Sequence, residues 1–424
     1  MSILGNNSNR KLNFDKLDKY QRNVILDDSP NTIVIAPAGA GKTFTLIEAI
    51  ISYKQAHPDE RVCAITYTRA ARAEMEYRLA QVGINDVEVT TIHVWSRTLL
   101  VELAKKYDFK IKILEEPSIK DILKNLLSES GNKIKPQVDI LYSYVSGNKK
   151  MDVSDNYLRA LDLFNKKYIS YKRLNGLYDF TDYPLYLLDK LNQYDEIITS
   201  IDALFVDELQ DVDEDQFDIF DKVICNKKFY IGDPKQCIYV FRGADINAFK
   251  KLKNFDQRQL KFNYRSYQEI INYANTMYEK ILPTLNRHKA LISDVCYSEP
   301  CDIICKKGSG AKVFIIDPFG ITTDAVTGEE IDIKTAFNYI WKQQPMILCR
   351  TNKQVKAIEE LRYYQVSTVH QAKGLEYDNV IVIDDSIDEV EDLNIAYVAI
   401  TRAKNNVLIA NFNQLYRLIQ KSLF

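Results

Sequence analysis

The sequence has little of several features that define specialised protein classes. Its seven cysteines are scattered, and the closest three, Cys296, Cys301 and Cys305, lack the Cys-x-x-Cys spacing of a zinc or iron–sulfur site. No apolar run approaches the roughly 18 to 20 residues of a membrane span, and residues 1–9 are polar, unlike a secretion signal. These absences predict a cytoplasmic protein with reduced thiols and no membrane contact.

Charge of one sign is also lacking. The formal net charge is −2, which excludes a uniformly basic nucleic-acid binder but allows a local groove of Lys and Arg side chains. The abundance of Tyr, Lys, Asn and Ile suggests an AT-rich genome. We therefore expect the protein to act in the cytoplasm of a bacterial or phage-infected host cell.

The residues that are present have the balance of an ordinary globular protein. Hydrophobic residues make up 46% of the chain and charged residues 27%, and no fixed-period repeat is visible. Because domains usually contain about 100 to 200 residues, a chain of 424 residues predicts two to four folded units.

The first part of the chain alternates strands with helices. An apolar run at 32–36 and a small-residue turn precede a helical segment at 42–54, and a second run at 62–66 precedes a helical segment at 70–79. This order predicts a parallel sheet with helices on its faces, which binds ligands at the carboxyl ends of its strands.

The later sequence predicts a helical insertion and a second α/β half. Strand candidates are few from about 97 to 199, where Lys- and Leu-rich helical segments dominate. Buried-strand runs return at 203–206 and 228–231, and a second group lies at 312–316, 346–349, 380–383 and 407–410. The sequence therefore predicts an α/β fold of two lobes with a helical insertion in the first.

A phosphate-binding loop follows the first strand. Residues 36–43 fit the pattern G-x-x-x-x-G-K-S/T, except that Ala36 replaces the first glycine. In this motif backbone N–H groups and a helix N-terminus face the phosphates, the lysine reaches the β- and γ-phosphates, and the hydroxyl ligates Mg²⁺. The predicted nucleotide-binding residues are Ala38, Gly39, Ala40, Gly41, Lys42 and Thr43, with Thr43 also a metal ligand.

Two carboxylates end the strand at 203–206. At the carboxyl end of a parallel strand, Asp207 can hold Mg²⁺ while Glu208 polarises the attacking water. Taken alone, the pair could equally be solvated acids, since more acidic residues follow in 211–215. The phosphate loop upstream favours the catalytic interpretation.

Seven segments, taken with the phosphate loop, resemble the motifs of the UvrD/Rep family of superfamily 1 helicases, in order along most of the chain. They are L-D-K-Y-Q-R at 17–22, T-Y-T-R at 66–69, D-E-L-Q-D at 207–211, G-D-P-K-Q-C-I-Y-V-F-R-G-A at 232–244, N-Y-R-S at 263–266, T-V-H-Q-A-K-G-L-E at 368–376 and Y-V-A-I-T-R-A-K at 397–404. The resemblance implies two RecA-like parallel-sheet lobes: residues 1–96 and 200–255 for the first lobe, 97–199 for its helical insertion, and 256–424 for the second lobe with minimal or no further insertion.

The resemblance also implies an ATP site in the cleft between the lobes. Gln236 is similar to the residue that senses the γ-phosphate, and Arg265 and Arg402 are similar to the two arginines that neutralise transition-state charge. Together with Glu208 they form the expected catalytic set. ATP and Mg²⁺ are the expected ligands, and closing the cleft would couple hydrolysis to motion.

The expected base pocket contains one departure from the family. Gln21 offers an amide that can pair with adenine N6 and N7, Tyr264 resembles the base-stacking aromatic, and Glu376 resembles the ribose contact. The residue after the phosphate-loop threonine is often Arg in the family and here is Phe44. We therefore hypothesise that Phe44 and Tyr264 sandwich the adenine.

The expected track for single-stranded DNA combines stacking aromatics with backbone contacts. Bases stacked on aromatic side chains gain about 1–3 kcal/mol each. The resemblance places on the DNA side Tyr67 and Arg69, His93 in a T-I-H segment at 91–93 that resembles the family's T-F-H, and Tyr239, Phe241 and His370.

One family feature is reduced. The family's large second-lobe insertion lies between an R-T-N string, here 350–352, and the motif that begins at Thr368; only residues 353–367 remain, too few for a subdomain.

Three functions stay open. The chain could be an autonomous 3′-to-5′ helicase on single-stranded DNA and its junctions with duplex. It could instead be a motor or nucleic-acid-sensing ATPase subunit of a defence or recombination complex with a nuclease, or a nucleotide-gated binding protein that cycles without moving. A nuclease or a replication or repair protein is the expected protein partner.

Overall fold

A computed structural model of the chain describes residues 16–147, 153–240, 243–245, 247–286, 303–317, 319–363, 365–383 and 386–423. The chain forms two compact units. One contains the residues up to Thr90, Thr199–Glu214 and the residues from Cys225 onward; the other contains Thr91–Ile198 and Asp215–Ile224. The first unit holds two large β-sheets and a two-stranded one, apart from the last residue of β3, and the second unit is mainly helical.

The first sheet has six strands in the order β3-β2-β4-β5-β1-β6. They are β1 (Asn31–Ile35), β2 (Val62–Thr66), β3 (Val87–Thr91), β4 (Ala203–Val206), β5 (Lys227–Gly232) and β6 (Asp256–Gln259). The pairings β2–β4, β4–β5, β5–β1 and β1–β6 are parallel. Strand β4 is fully buried, as its uninterrupted apolar sequence predicts for a central strand.

The second sheet has seven strands in the order β11-β10-β9-β15-β14-β12-β13. A short parallel pair precedes it, β7 (Phe262–Asn263) with β8 (Ile304–Cys305). The sheet contains β9 (Val313–Ile316), β10 (Thr322–Asp324), β11 (Glu330–Ile331), β12 (Met346–Cys349), β13 (Val366–Thr368), β14 (Tyr377–Ile383) and β15 (Ala403–Ala410). It is parallel from β9 to β13, and β10 and β11 add an antiparallel edge.

Helices cover the sheets and build the second unit. They are α1 (Lys19–Ile25), α2 (Lys42–Ala56), α3 (Arg69–Gln81), α4 (Ile92–Lys106), α5 (Glu116–Ser128), α6 (Val138–Val145), α7 (Asp155–Asn175), α8 (Tyr183–Gln193), α9 (Glu214–Asp221), α10 (Ala248–Lys251), α11 (Gln268–Asn286), α12 (Ile333–Trp341), α13 (Asn352–Glu360), α14 (Val390–Ile400) and α15 (Phe412–Leu423). In the described parts of the chain, no helix is long and apolar enough to cross a membrane.

Each layer has its own apolar core. The side chains of β1, β2, β4 and β5 pack with α2 in the first sheet, and β9, β12, β14 and β15 are covered on both faces in the second. In the helical unit, α5, α6 and α7 pack around Leu123, Leu141 and Phe164, none of which is exposed. Full burial of each such side chain stabilises the fold by about 1.5–3 kcal/mol.

The expected α/β class is confirmed, and two boundaries differ from the sequence prediction. Strand β6 belongs to the first sheet although it lies past the expected limit at 255, because its polar D-Q-R-Q sequence gives no strand signal. The helical unit begins at Thr91 and includes residues 215–224, whereas the predicted insertion spanned 97–199.

Candidate functional site

The phosphate loop connects β1 to α2 at the carboxyl end of the first sheet. Gly39 and Gly41 have φ of +73° and +79°, the left-handed region that glycine enters without steric cost. Gly41 caps α2, so the N-terminus of that helix faces the loop. Ala36 does not have a positive φ and instead donates its N–H to the Gly232 carbonyl at 2.9 Å. Alanine is therefore compatible with the position that the motif gives to glycine.

The second lobe contacts this loop through the last residue of β7 and the residue that follows it. The Asn263 Nδ2 donates to the Ala38 carbonyl at 2.6 Å, and the Tyr264 N–H donates to the Gly39 carbonyl at 2.9 Å. A Cβ at Gly39 would lie 2.6 Å from the Asn263 Nδ2. Glycine is needed there for space as well as for φ. Ala40 is buried beside these contacts.

The two carboxylates at the end of β4 face the phosphate loop. The Thr43 hydroxyl donates to Asp207 at 3.1 Å, and the Lys42 ammonium lies 3.6 Å from the Glu208 carboxylate. Glu208 has a φ of +53°, a conformation that costs a residue other than glycine about 1–3 kcal/mol and is concentrated at functional sites. The neighbouring side chain of Gln210 donates to Glu208.

The surroundings of the two carboxylates shift their pKa values in opposite directions. Burial, followed by the charge of Glu208, raises the pKa of Asp207. Burial also disfavours the charged form of Glu208, but the cations Lys42 and Lys373 outweigh it and hold the pKa of Glu208 below its usual range. Glu208 is therefore an anion at neutral pH. A hydroxyl beside a carboxylate is a fitting donor set for Mg²⁺, which takes oxygen ligands.

Two arginines reach the site from the second lobe. The Arg402 guanidinium is 2% exposed and donates to Gln236 Oε1 at 3.2 Å and to the Leu375 carbonyl at 3.2 Å. Burial and the charge of Arg265 lower the pKa of Arg402 to about 10, so the side chain stays protonated at neutral pH. Gln236 Nε2 in turn donates to Asp233 at 2.6 Å.

Arg265 is held by a different set of partners. Its Nε donates to Glu376 at 3.0 Å and its Nη1 donates to the Thr401 carbonyl at 3.1 Å. Glu376 also pairs with Lys404 at 2.8 Å. The residue expected to contact ribose thus sits in an ion pair with one of the two expected catalytic arginines.

The expected base-pocket residues lie around the N-terminus of α1. Gln21 is buried and completes a capping box with Asp18, and its Nε2 lies 3.4 Å from where a Cβ on Gly41 would be. The Tyr264 hydroxyl donates to Asp18 at 2.5 Å while 46% of the side chain is exposed. Phe44 is half-buried, in contact with the first-lobe core. A planar ligand between Phe44 and Tyr264 remains a prediction.

Three of the expected DNA-contact residues come together. The rings of Tyr67 and Tyr239 stack with their centroids 5.4 Å apart and a tilt of 17°, and the His370 ring lies 5.9 Å from that of Tyr239. His370 Nε2 hydrogen-bonds to the Ile238 carbonyl at 3.0 Å. These side chains form an aromatic cluster that joins the end of β2, the segment after β5 and the segment after β13.

The other expected DNA contacts are more dispersed. Arg69 is exposed at the start of α3. His93 lies in the first turn of α4 in the helical unit, hydrogen-bonded to the backbone of Thr181. Phe241 lies outside the described residues.

Sequence reasoning missed Lys373 and Asp211 as site residues, although both stand inside matched motifs. The Lys373 ammonium lies 2.6 Å from each oxygen of Asp211, 3.1 Å from the Gln236 carbonyl and 4.7 Å from the centre of the Tyr239 ring. One second-lobe cation therefore contacts both the nucleotide side and the aromatic cluster. Their presence in two charged motifs could have marked both residues as part of the site. No local sequence pattern shows that Lys373 and Asp211 pair with each other.

Comparison with known proteins identifies the family. Residues 17–257 match the UvrD/REP helicase N-terminal domain, and residues 363–410 match the UvrD-like helicase C-terminal domain. The chain belongs to the UvrD/Rep helicase family, which confirms the resemblance seen in its motifs.

The relatives differ in how much of their length the chain spans. A probable DNA helicase II homolog of Mycoplasma capricolum is 30% identical over 62% of this chain, which spans 41% of that relative. A probable DNA helicase of Mycoplasma pneumoniae is 25% identical over 95% of this chain and 85% of its own length. The Gabija protein GajB of Bacillus cereus is 24% identical over 93% of this chain and 75% of its own length.

Proposed function

We propose that the chain hydrolyses ATP between its two lobes and uses the energy to move 3′-to-5′ along single-stranded DNA, unwinding duplex at junctions. One observation carries the proposal: the same short segment after β5 holds Gln236, bonded to the second-lobe Arg402, and Tyr239, stacked in the aromatic cluster. A change at the nucleotide, felt at Gln236, is thereby linked to a change at the DNA through Tyr239, three positions further along the chain.

The residues at the phosphate loop suit a magnesium–nucleotide complex. Lys42 and the N-terminus of α2 supply positive charge to the phosphates, and Thr43 and Asp207 supply oxygen ligands for the metal. Bound Mg²⁺ would neutralise charge on the β- and γ-phosphates. The Glu208 carboxylate, ionised at neutral pH, would accept a hydrogen bond from the attacking water and so polarise and orient it.

The arginines complete the site only when the lobes are together. Arg402 stays charged although nearly all of it is buried, and a buried cation stabilises developing phosphate charge more than a solvated one does. Arg265 is held between Glu376 and the Thr401 carbonyl. Hydrolysis thus depends on lobe closure, and release of products would open the cleft again.

The aromatic cluster supplies a stacking surface for bases. Tyr67 and Tyr239 lie in the segments that follow β2 and β5 of the first sheet, while His370 lies in the second lobe. Bases stack on aromatic rings with little sequence preference, as a translocating motor requires. Relative motion of the lobes would change the spacing of these rings.

A second candidate rests on the segment between Asn352 and Thr368. The described residues of this segment form α13 and β13, and they contain no inserted subdomain. A motor of this form would act as the ATPase subunit of a larger complex, with the other residues for duplex processing provided by a nuclease or repair partner.

The deciding experiment is the ATPase rate of the purified chain with and without single-stranded DNA, beside Glu208→Gln. Stimulation by DNA in the wild type, absent in Glu208→Gln, supports the motor. A DNA-independent rate in the wild type contradicts an autonomous motor and leaves the partner-dependent candidate, which is then tested by isolating the chain from its source with whatever protein accompanies it.

A further inference from the structure

The segment that carries Gln236 and Tyr239 is also held by second-lobe residues outside the proposed site. The Lys235 ammonium donates to Asn275 Oδ1 on α11 at 3.1 Å. It lies 5.0 Å from the ring centre of Tyr278 and 5.4 Å from that of Tyr397. A lysine from the first lobe is therefore inserted between two helices of the second lobe.

A second contact holds the same segment from α14. The Asn394 Nδ2 donates to the Cys237 carbonyl at 2.9 Å, and its Oδ1 accepts the Tyr278 hydroxyl at 2.7 Å. Cys237 is adjacent to Gln236 and two residues before Tyr239. The side chains of Tyr278 and Asn394 are 1% and 0% exposed. Hydrogen bonds between buried polar groups are costly to break, so these contacts tie the segment to the second lobe.

We infer that Lys235, Asn275, Tyr278 and Asn394 form a clamp that transmits lobe movement to the aromatic cluster. This inference rests on the proposed function, and it assigns positioning residues rather than residues that touch ATP or DNA. When the second lobe moves, α11 and α14 pull the segment at Lys235 and Cys237, on either side of Gln236. Tyr239 then moves with Gln236 instead of independently of it.

The nucleotide-site residues and the clamp residues contact this segment at different positions. Arg402 and Lys373 contact it at Gln236, on the nucleotide side. The clamp residues hold it at the flanking positions, Lys235 and Cys237. Weakening the clamp should therefore leave hydrolysis intact and weaken the response to DNA.

Two variants test this separation. Tyr278→Phe removes only the hydroxyl that Asn394 accepts, and Asn275→Ala removes the acceptor for Lys235, while Asn275→Asp keeps an acceptor. Tyr339→Phe, on the exposed side of α12, is the matched control. The measurements are the ATPase kcat and KM for ATP with and without an oligothymidylate, and the thermal midpoint.

The clamp predicts that Tyr278→Phe and Asn275→Ala lower the DNA-stimulated kcat by about fivefold, equivalent to about 1 kcal/mol. Basal kcat and KM for ATP stay within about twofold, the range of a change that removes no nucleotide contact. Asn275→Asp and Tyr339→Phe behave as wild type. Parallel losses of basal and stimulated kcat would show a structural role and overturn the inference.

Failure of the clamp and failure of the proposed motor give different results. Full DNA stimulation in both clamp variants overturns the clamp and leaves the motor intact. A wild type that DNA does not stimulate overturns the autonomous motor, and the clamp with it.

Discussion

Replacing Lys373 by methionine tests the ion pair that joins the lobes beside the nucleotide site. Lys373 lies 2.6 Å from both oxygens of Asp211, and the two side chains are only 10% and 1% exposed. Methionine keeps most of the apolar stem and removes the charge, so Asp211 is left buried without its cation. Removing one partner of a buried ion pair costs about 3–5 kcal/mol.

The loss should grow with pH. Burial raises the pKa of Asp211 to about 6 although Lys373 lowers it, so removing Lys373 raises this pKa further. A carboxyl whose folded-state pKa exceeds its unfolded value of about 3.9 favours folding most at low pH, and that stability is lost as pH rises through the folded pKa. Below about pH 5 Asp211 is protonated with or without Lys373, and the variant differs little from the wild type.

The assay is the thermal midpoint at about pH 5 and about pH 8, with Lys334→Met on the exposed face of α12 as control. A loss of about 3 kcal/mol lowers the midpoint by about 5 °C or more in a unit of this size. Adding Asp211→Asn removes the buried charge and should restore much of the midpoint at the higher pH. Equal midpoints for wild type and Lys373→Met at about pH 8 would show that Lys373 does not stabilise the ionised Asp211.

Four further substitutions test individual parts of the site. Gly39→Ala should raise KM for ATP by about tenfold or abolish binding, because its Cβ would meet an amide nitrogen at 2.6 Å, whereas Gly83→Ala, with open space around it, should not change KM. Phe44→Ala should raise KM for ATP by about fivefold or more, the loss of one aromatic contact, and an unchanged KM rules out the adenine sandwich. Arg402→Gln should lower kcat by about 10³-fold or more with KM little affected, as measured by steady-state hydrolysis; a small loss would remove the arginine from the catalytic set. Tyr239→Ala should weaken single-stranded DNA binding by about 1–3 kcal/mol in a fluorescence titration, and undiminished affinity contradicts a stacking role.

The sequence predicted those parts of the fold that local patterns encode. Apolar runs located β2, β4 and β12 at the bounds that the structure gives, since buried parallel strands are continuous apolar segments. Strand β6 was missed because it is a polar strand at the edge of the described first sheet, where it pairs with β1. Its position depends on the sheet beside it rather than on its own residues.

The site shows the same division. The phosphate loop and the two carboxylates could be predicted because their spacing alone carries the chemistry. The pairing of Lys373 with Asp211, 162 positions apart, could not, because it depends on how two sheets meet. The left-handed backbone of Glu208 also has no signal in residue preference, since tertiary contacts impose it.

Translocation is measured by the time that the purified chain takes to reach the 5′ end of oligothymidylates of increasing length. A 5′-terminal fluorophore reports arrival after ATP is added to pre-bound protein in the presence of a DNA trap. Movement from 3′ to 5′ predicts an arrival time that increases linearly with length and requires ATP. The arrival signal should disappear when the fluorophore is on the 3′ end or when Glu208 is replaced by Gln. An arrival time that does not depend on length would contradict this movement, because hydrolysis would then occur without movement along the strand.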